Sequence, residues 1–313
     1  MLKPASTQRH PFLSLLLLVL LMFAGALVFT ILAFIAVIAI YGMKEMLNAS
    51  TGAASSIEII KLLQLFISTG MFVVPALFFA RLESKNWTDY LQFRGFPYIL
   101  IILAVLIMLT SGPMLELSAQ INKSMKLPGF LKGIELWMLN KELEMAEMTK
   151  QLLKMNSPGV LLFNILMLAI IPAIGEELIF RGCLQKIFGK WTDNKHVAIW
   201  LTAIIFSAIH IQFYGFLPRM LLGALFGYLL VWSGTIWIPI LAHFMNNAVA
   251  IITAYVYQRQ GISLDKLDQP DPVAFYVYII SSLACSALLW TFYSTSLKYG
   301  VSLYKRTDGS RLD

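Results

Sequence analysis

The chain has 313 residues, of which 58% are hydrophobic and 13% charged, and its mean hydropathy is +0.75. A water-soluble domain carries about 25% charge, so half that amount excludes a soluble globular enzyme, and so high an apolar content excludes a disordered chain. The +7 balance, 24 Lys+Arg against 17 Asp+Glu, follows no basic stripe of the kind that binds nucleic acid; the cations sit at the ends of apolar runs, where a bilayer places them.

Taken in chain order, the uncharged runs predict an all-α polytopic membrane protein with about eight transmembrane helices. The first covers Pro11 to Ile40, far longer than the roughly 7–15 apolar residues of a signal peptide, and predicts a retained span. Further spans follow at Ile59 to Ala80 and at Gly95 to Leu115, where Ser111-Gly112-Pro113 marks a bend or an end. After a polar insert from Leu117 to Asn156, the fourth runs from Pro158 to about Gly189. The remaining four are placed at Val197–Tyr214, Met220–Val231, Ile236–Tyr257 and Val273–Leu297. Ile134, Trp137, Met138, Met145, Met148 and Leu152 recur in the insert at helical spacing, predicting an amphipathic helix on the bilayer surface. Residues 1–157 then form the variable N-terminal part, 158–257 a core and 258–313 the last span with a basic tail. Lys3, Arg9, Arg81, Lys85, Arg94, Lys186, Lys190, Lys195, Lys298, Lys305, Arg306 and Arg311 fall on one side, which predicts both termini inside. Lys44, Arg219, Arg259 and Lys266 are assigned to outer loops. Cys183 and Cys285 form neither a metal-binding CxxC pair nor a disulfide framework.

The informative residues are charged or polar ones inside the spans. A charge at mid-helix depth costs about 2.5–3.5 kcal/mol on insertion scales, yet Glu176, Glu177 and Arg181 all lie in the fourth run. Glu177 and Arg181 are i,i+4 neighbours and can pair, whereas Glu176 is rotated about 100° away. The pair of glutamates thus divides into one reactive carboxylate and one held by arginine. His210 and His243 lie in the fifth and seventh spans; His210 follows Phe206 by four residues, and His243 precedes Asn247 by four while Asn246 turns aside. Glu176 lies 13 residues before Gly189 and His210 lies 14 after His196, so both sit about 20 Å along their helices from one basic turn. Three helices can therefore bring Glu176, His210, His243 and Asn247 to one buried point.

A glutamate among apolar walls can accept a proton from water and return it, and imidazole and amide groups can stabilise an oxyanion. Glu176, His210 and His243 are equally a possible set of zinc ligands leaving a position for water, although no HExxH is present. Both an enzyme with a divalent metal and one with no cofactor remain open. Pro172, one turn before the glutamates, offers a kink that opens a cavity, and Gly223 and Gly227 offer a small-residue packing face.

Glu176-Glu177-Leu-Ile-Phe-Arg181, Phe206-Ser-Ala-Ile-His210 and His243-Phe-Met-Asn-Asn247 together resemble the three motifs of the CAAX-protease and bacteriocin-processing (Abi-type) family of membrane endopeptidases, related to type II CAAX prenyl proteases. The resemblance covers about Pro158 to Ile252. It implies Glu176 as the base that activates water, Glu177 and Arg181 as its supporting pair, and Phe206 as a motif residue. His210 would orient water or bind metal, and His243 with Asn247 would stabilise the oxyanion. It further implies a peptide or protein substrate reached from the membrane or the cytosolic side, in peptide maturation, CAAX-type processing or bacteriocin immunity. A bacterial inner membrane is the expected location. An ion- or proton-coupled transporter using the same Glu/His cluster is the competing reading, against which stands the lack of an inverted repeat; a catalytically silent scaffold is a third.

Overall fold

The computed structural model describes residues 9–51, 57–267 and 273–301, and among these there is no strand. The principal helices are α1 (Pro11–Tyr41), α2 (Ile57–Glu83), α3 (Ile99–Ser124), α4 (Lys132–Leu152), α5 (Pro158–Thr192), α6 (Lys195–Ala208), α7 (Phe213–Ser233), α8 (Trp237–Arg259) and α9 (Phe275–Lys298). Among the described residues seven of them, all except α4 and α6, are long and apolar enough to cross a membrane. The protein is thus an all-α integral membrane protein. Lys3, Lys305, Arg306 and Arg311, used above to orient the chain, lie outside the described residues.

The expected count of eight spans is corrected by α6. Its 14 residues rise only about 21 Å, short of the ~30 Å hydrocarbon layer. Hydropathy misses the stop because Ile209, Ile211 and Phe213 continue the apolar run while the backbone has already reversed. Ile211 has φ +54°, a left-handed conformation that is strained for a β-branched residue.

The insert also differs from expectation. α3 runs on to Ser124, with Pro113 inside it, and the helix that follows lacks a single apolar stripe. Met138, Glu142 and Met145 are half-buried on one face of α4. Leu136, Trp137, Leu139 and Leu143 are exposed on the other. The insert thus forms a helix, Lys132–Leu152, with apolar residues on both faces.

Close backbone approach sets the packing of the spans. A Cβ on Gly25 of α1 would fall 2.0 Å from the Gly70 carbonyl oxygen of α2, and one on Gly70 would fall 2.3 Å from Phe29 Cβ. The two helices cross there with no room for a side chain. Gly175 of α5 similarly faces Phe72 Cβ at 2.8 Å. Gly223 and Gly227 lay α7 against Ala203 and Ile199 of α6. Gly234, at φ +67°, makes the tight α7–α8 turn with its N–H on the Leu230 carbonyl. One apolar cluster joins α1, α2 and α5 through Leu18, Phe79 and Phe180, and a second joins α3, α7, α8 and α9 through Ile107, Phe226, Ile238 and Phe292.

The helix carrying the two glutamates is not uniform. α5 contains two π-helical turns, Ile165–Ile170 and Leu178–Leu184, flanking the segment Ile171–Glu177. Pro172 has no N–H for the Leu168 carbonyl one turn back, so the helix widens beside it. The polar group that meets that carbonyl comes from α8, where Asn247 Nδ2 donates to Leu168 O at 3.2 Å.

Candidate active site

Glu177 and Arg181 are both fully buried, and Arg181 Nη1 donates to Glu177 Oε1 at 2.8 Å. Arg181 Nη2 donates to the Gly223 carbonyl at 3.0 Å, tying α5 to α7. Its guanidinium carbon lies 4.7 Å from the ring centre of Phe206 and 5.4 Å from that of Phe226. A cation removed from water in this way needs its carboxylate partner and the aromatic faces together. Phe206, named in the sequence only as a motif residue, is thus a wall for Arg181 and also meets both His210 and His243 edge-on.

Glu177 Oε1 also meets His243 Nδ1 at 2.8 Å. A carboxylate acceptor at Nδ1 places the proton there and fixes the ring's orientation. His243 stacks on Phe226 with ring centres 5.2 Å apart, and its Nε2 points to Glu176 Oε2 at 3.8 Å. Glu176 differs from its neighbour as the rotation predicts: its side chain retains 14% exposure, against none for Glu177.

His210 stands just beyond the end of α6. Its Nδ1 donates to the Phe206 carbonyl at 2.7 Å, satisfying one of the carbonyls that a helix C-terminus leaves open. That bond leaves Nε2 as the free ring nitrogen. The strained turn carrying it is fixed from several sides. Ser207 Oγ donates to Phe216 O at 2.7 Å. Asn122 of α3 donates to Phe213 O at 3.0 Å and accepts from Leu217 N at 2.6 Å. Glu142 of α4 accepts from Tyr214 N at 3.3 Å.

Glu176, His210, His243 and Asn247 line one cavity of about 290 Å³. The sequence also missed two residues on its wall. Asn246, expected to turn away, lines it too and donates to Asn247 Oδ1 at 3.2 Å; the cavity wraps far enough around α8 to take adjacent residues. Arg219, assigned to an outer loop, lies within α7 and faces the same space. The apolar run that begins at Met220 hid it, since α7 starts earlier, at Phe213. Asn247 itself spends one N–H on Leu168, so it is less free as an oxyanion donor than its spacing implied.

Among the described residues no three His, Cys, Asp or Glu side chains gather as a metal-binding group. His243 Nδ1 is taken by Glu177 and His210 Nδ1 by a backbone carbonyl, so Nε2 is the ring nitrogen each histidine has left for another partner.

Comparison with known proteins points to the same region. Residues 158–249 match the family model described as type II CAAX prenyl endopeptidase Rce1-like. The chain is 30% identical over 90 residues to the uncharacterized protein YpbD of Bacillus subtilis (strain 168), covering 28% of this chain and 43% of that protein. It therefore spans less than half the length of that curated relative. No solved structure matches the chain. The matched segment holds α5 to most of α8, and with it every residue lining the glutamate–histidine cavity, so this integral membrane protein contains a Rce1-like CAAX protease domain over part of its length.

Proposed function

We propose that the protein is an intramembrane endopeptidase that hydrolyses a peptide bond with water activated by Glu176. The observation that carries this reading is the division of labour between adjacent carboxylates. Glu177 is buried and engaged by both Arg181 and His243, while Glu176 opens into the cavity opposite His243 Nε2 and beside His210.

In the reactive state one proton is shared between Glu176 and His243, and Glu177 holds the imidazolium through Nδ1. Glu176 as carboxylate takes a proton from water, and the hydroxide formed attacks the peptide carbonyl. The negative charge that develops on the carbonyl oxygen is met by His243 Nε2–H, with the Asn246–Asn247 amides on the same wall. His210, neutral with its Nδ1–H on Phe206 O, offers the Nε2 lone pair to a proton of the attacking water and so sets its direction. Glu176 then returns the proton to the leaving nitrogen as the C–N bond breaks, so the proton balance closes without an added reactant.

The substrate is a peptide or protein segment that reaches the cavity from the bilayer or its surface. Purified full-length protein in nanodiscs, incubated with a membrane-peptide library in H₂¹⁸O, is expected to release fragments carrying one ¹⁸O at the new carboxylate. Loss of those fragments in Glu176→Ala supports the reading, whereas identical cleavage by both proteins places the activity elsewhere. Parallel incubation with a chelator, with elemental analysis of the protein, decides whether a metal takes part.

A further inference from the structure

One cation in the cavity has no part in the hydrolysis set out above. Arg219 lies on α7 one turn after Gly215, is half-buried, and lines the cavity with Glu176, His210 and His243. Its guanidinium is steadied by a neutral residue of the His210 turn: Nη2 donates to Gln212 Oε1 at 2.7 Å and Nη1 to the Gln212 carbonyl at 3.5 Å. A Cβ at position 215 would stand 3.2 Å from Nη2, so Gly215 leaves the head group its place. Among the described residues none of the ion pairs includes Arg219. The carboxylates whose charge it feels are Glu142 on α4 and Glu176 across the cavity.

The contrast with Arg181 is informative. Arg181 is sealed against Glu177 and three phenylalanine rings, as a structural cation must be. Arg219 is held in position by neutral oxygens while it lines the open cavity. That is the arrangement of a group set to receive an anion. A guanidinium fork matches the two oxygens of a carboxylate. A doubly charged phosphate suits the site less well, because Glu176 faces the same cavity.

We propose that Arg219 is a specificity-determining residue that receives a carboxylate of the peptide substrate while the scissile bond lies between Glu176 and His243. The inference rests on the hydrolase reading above and extends it to the class of substrate. The carboxylate comes either from the peptide's own C-terminus or from an aspartate or glutamate side chain near the cleaved bond.

The test uses full-length protein in nanodiscs and two matched series of peptides, one pairing a free C-terminus with its amide and the other pairing internal Glu with Gln. Wild type is expected to favour the anionic member of one series by about 10- to 100-fold in kcat/KM, and which series responds identifies the source of the carboxylate. In Arg219→Gln that ratio falls to near one, and in Arg219→Lys, which keeps the charge and loses the fork, it is intermediate. The Lys variant also carries the comparison if the Gln variant does not fold. Binding of the same peptides to Glu176→Gln protein separates the two ideas. Discrimination in binding without any cleavage by wild type overturns the hydrolase reading and leaves the Arg219 assignment standing. Equal binding of both members of both series, or a ratio unchanged in Arg219→Gln, overturns the assignment of Arg219.

Discussion

Glu177→Gln isolates the buried pair that orders the cavity. The substitution keeps the side-chain shape but removes the carboxylate bonded to Arg181, whose side chain has no exposure at all. The Gly223 carbonyl and the phenylalanine faces remain, yet neither supplies a countercharge. Breaking one half of a buried ion pair costs about 3–5 kcal/mol, chiefly because the stranded charge stays desolvated. At about 1.5 °C per kcal/mol, the scale for a chain of 313 residues, the melting temperature in detergent falls by about 5–8 °C. The double variant Glu177→Gln/Arg181→Met removes the stranded charge and fills its volume, so it should regain most of the lost stability. It should not regain cleavage, because His243 Nδ1 has lost the carboxylate that sets its proton. The assay is thermal unfolding of the wild type, both single variants and the double variant in one detergent, with peptide cleavage measured on each. If the double variant melts at the sum of the two single losses, Glu177 and Arg181 are not coupled and their supporting role is wrong.

Three further outcomes follow from the geometry. Ile211→Asn should raise stability by about 1 kcal/mol, since asparagine tolerates positive φ and the replaced side chain is 47% exposed; a melting temperature that does not rise would mean the turn is unstrained. Gly25→Ala and Gly70→Ala should each cost at least about 1–3 kcal/mol by overpacking the α1–α2 crossing, whereas Gly112→Ala, where a Cβ meets nothing within 4 Å, should cost nothing and gain up to about 1 kcal/mol of helix propensity. Pro172→Ala offers a new N–H to the Leu168 carbonyl and so competes with Asn247; cleavage should fall while the melting temperature holds or rises, and unchanged cleavage would show that the anchoring of Asn247 does not matter.

The spans were legible because a charge-free run long enough to cross a bilayer is rare in any element that must face water. The Glu177–Arg181 contact was legible because i,i+4 spacing fixes it on any helix, and the 100° offset of Glu176 placed the neighbouring carboxylate elsewhere. What failed were boundaries. Hydropathy measures what a residue prefers and not where the backbone turns, so the apolar residues after Ala208 concealed the end of α6. The same limitation put Arg219 in a loop, because its own charge appeared to mark the span's edge. Asn246 was misjudged because rotation about a helix axis says which way a residue points but not how wide the facing space is. Asn122 and Gln212, which hold the His210 turn and Arg219, are single polar residues whose partners lie on other segments, and no local spacing reveals them.

In the proposed mechanism the adjacent glutamates do different work, Glu176 moving the proton and Glu177 holding the frame. The measurement that addresses it most directly is single-turnover cleavage by Glu176→Gln beside its melting temperature, with Glu177→Gln as the reference. Glu176→Gln is expected to melt within a few degrees of wild type and to cleave at least about 10²-fold more slowly, the scale of a lost general base, whereas Glu177→Gln loses stability and activity together. Cleavage by Glu176→Gln at the wild-type rate, in a preparation free of other proteases, would contradict it.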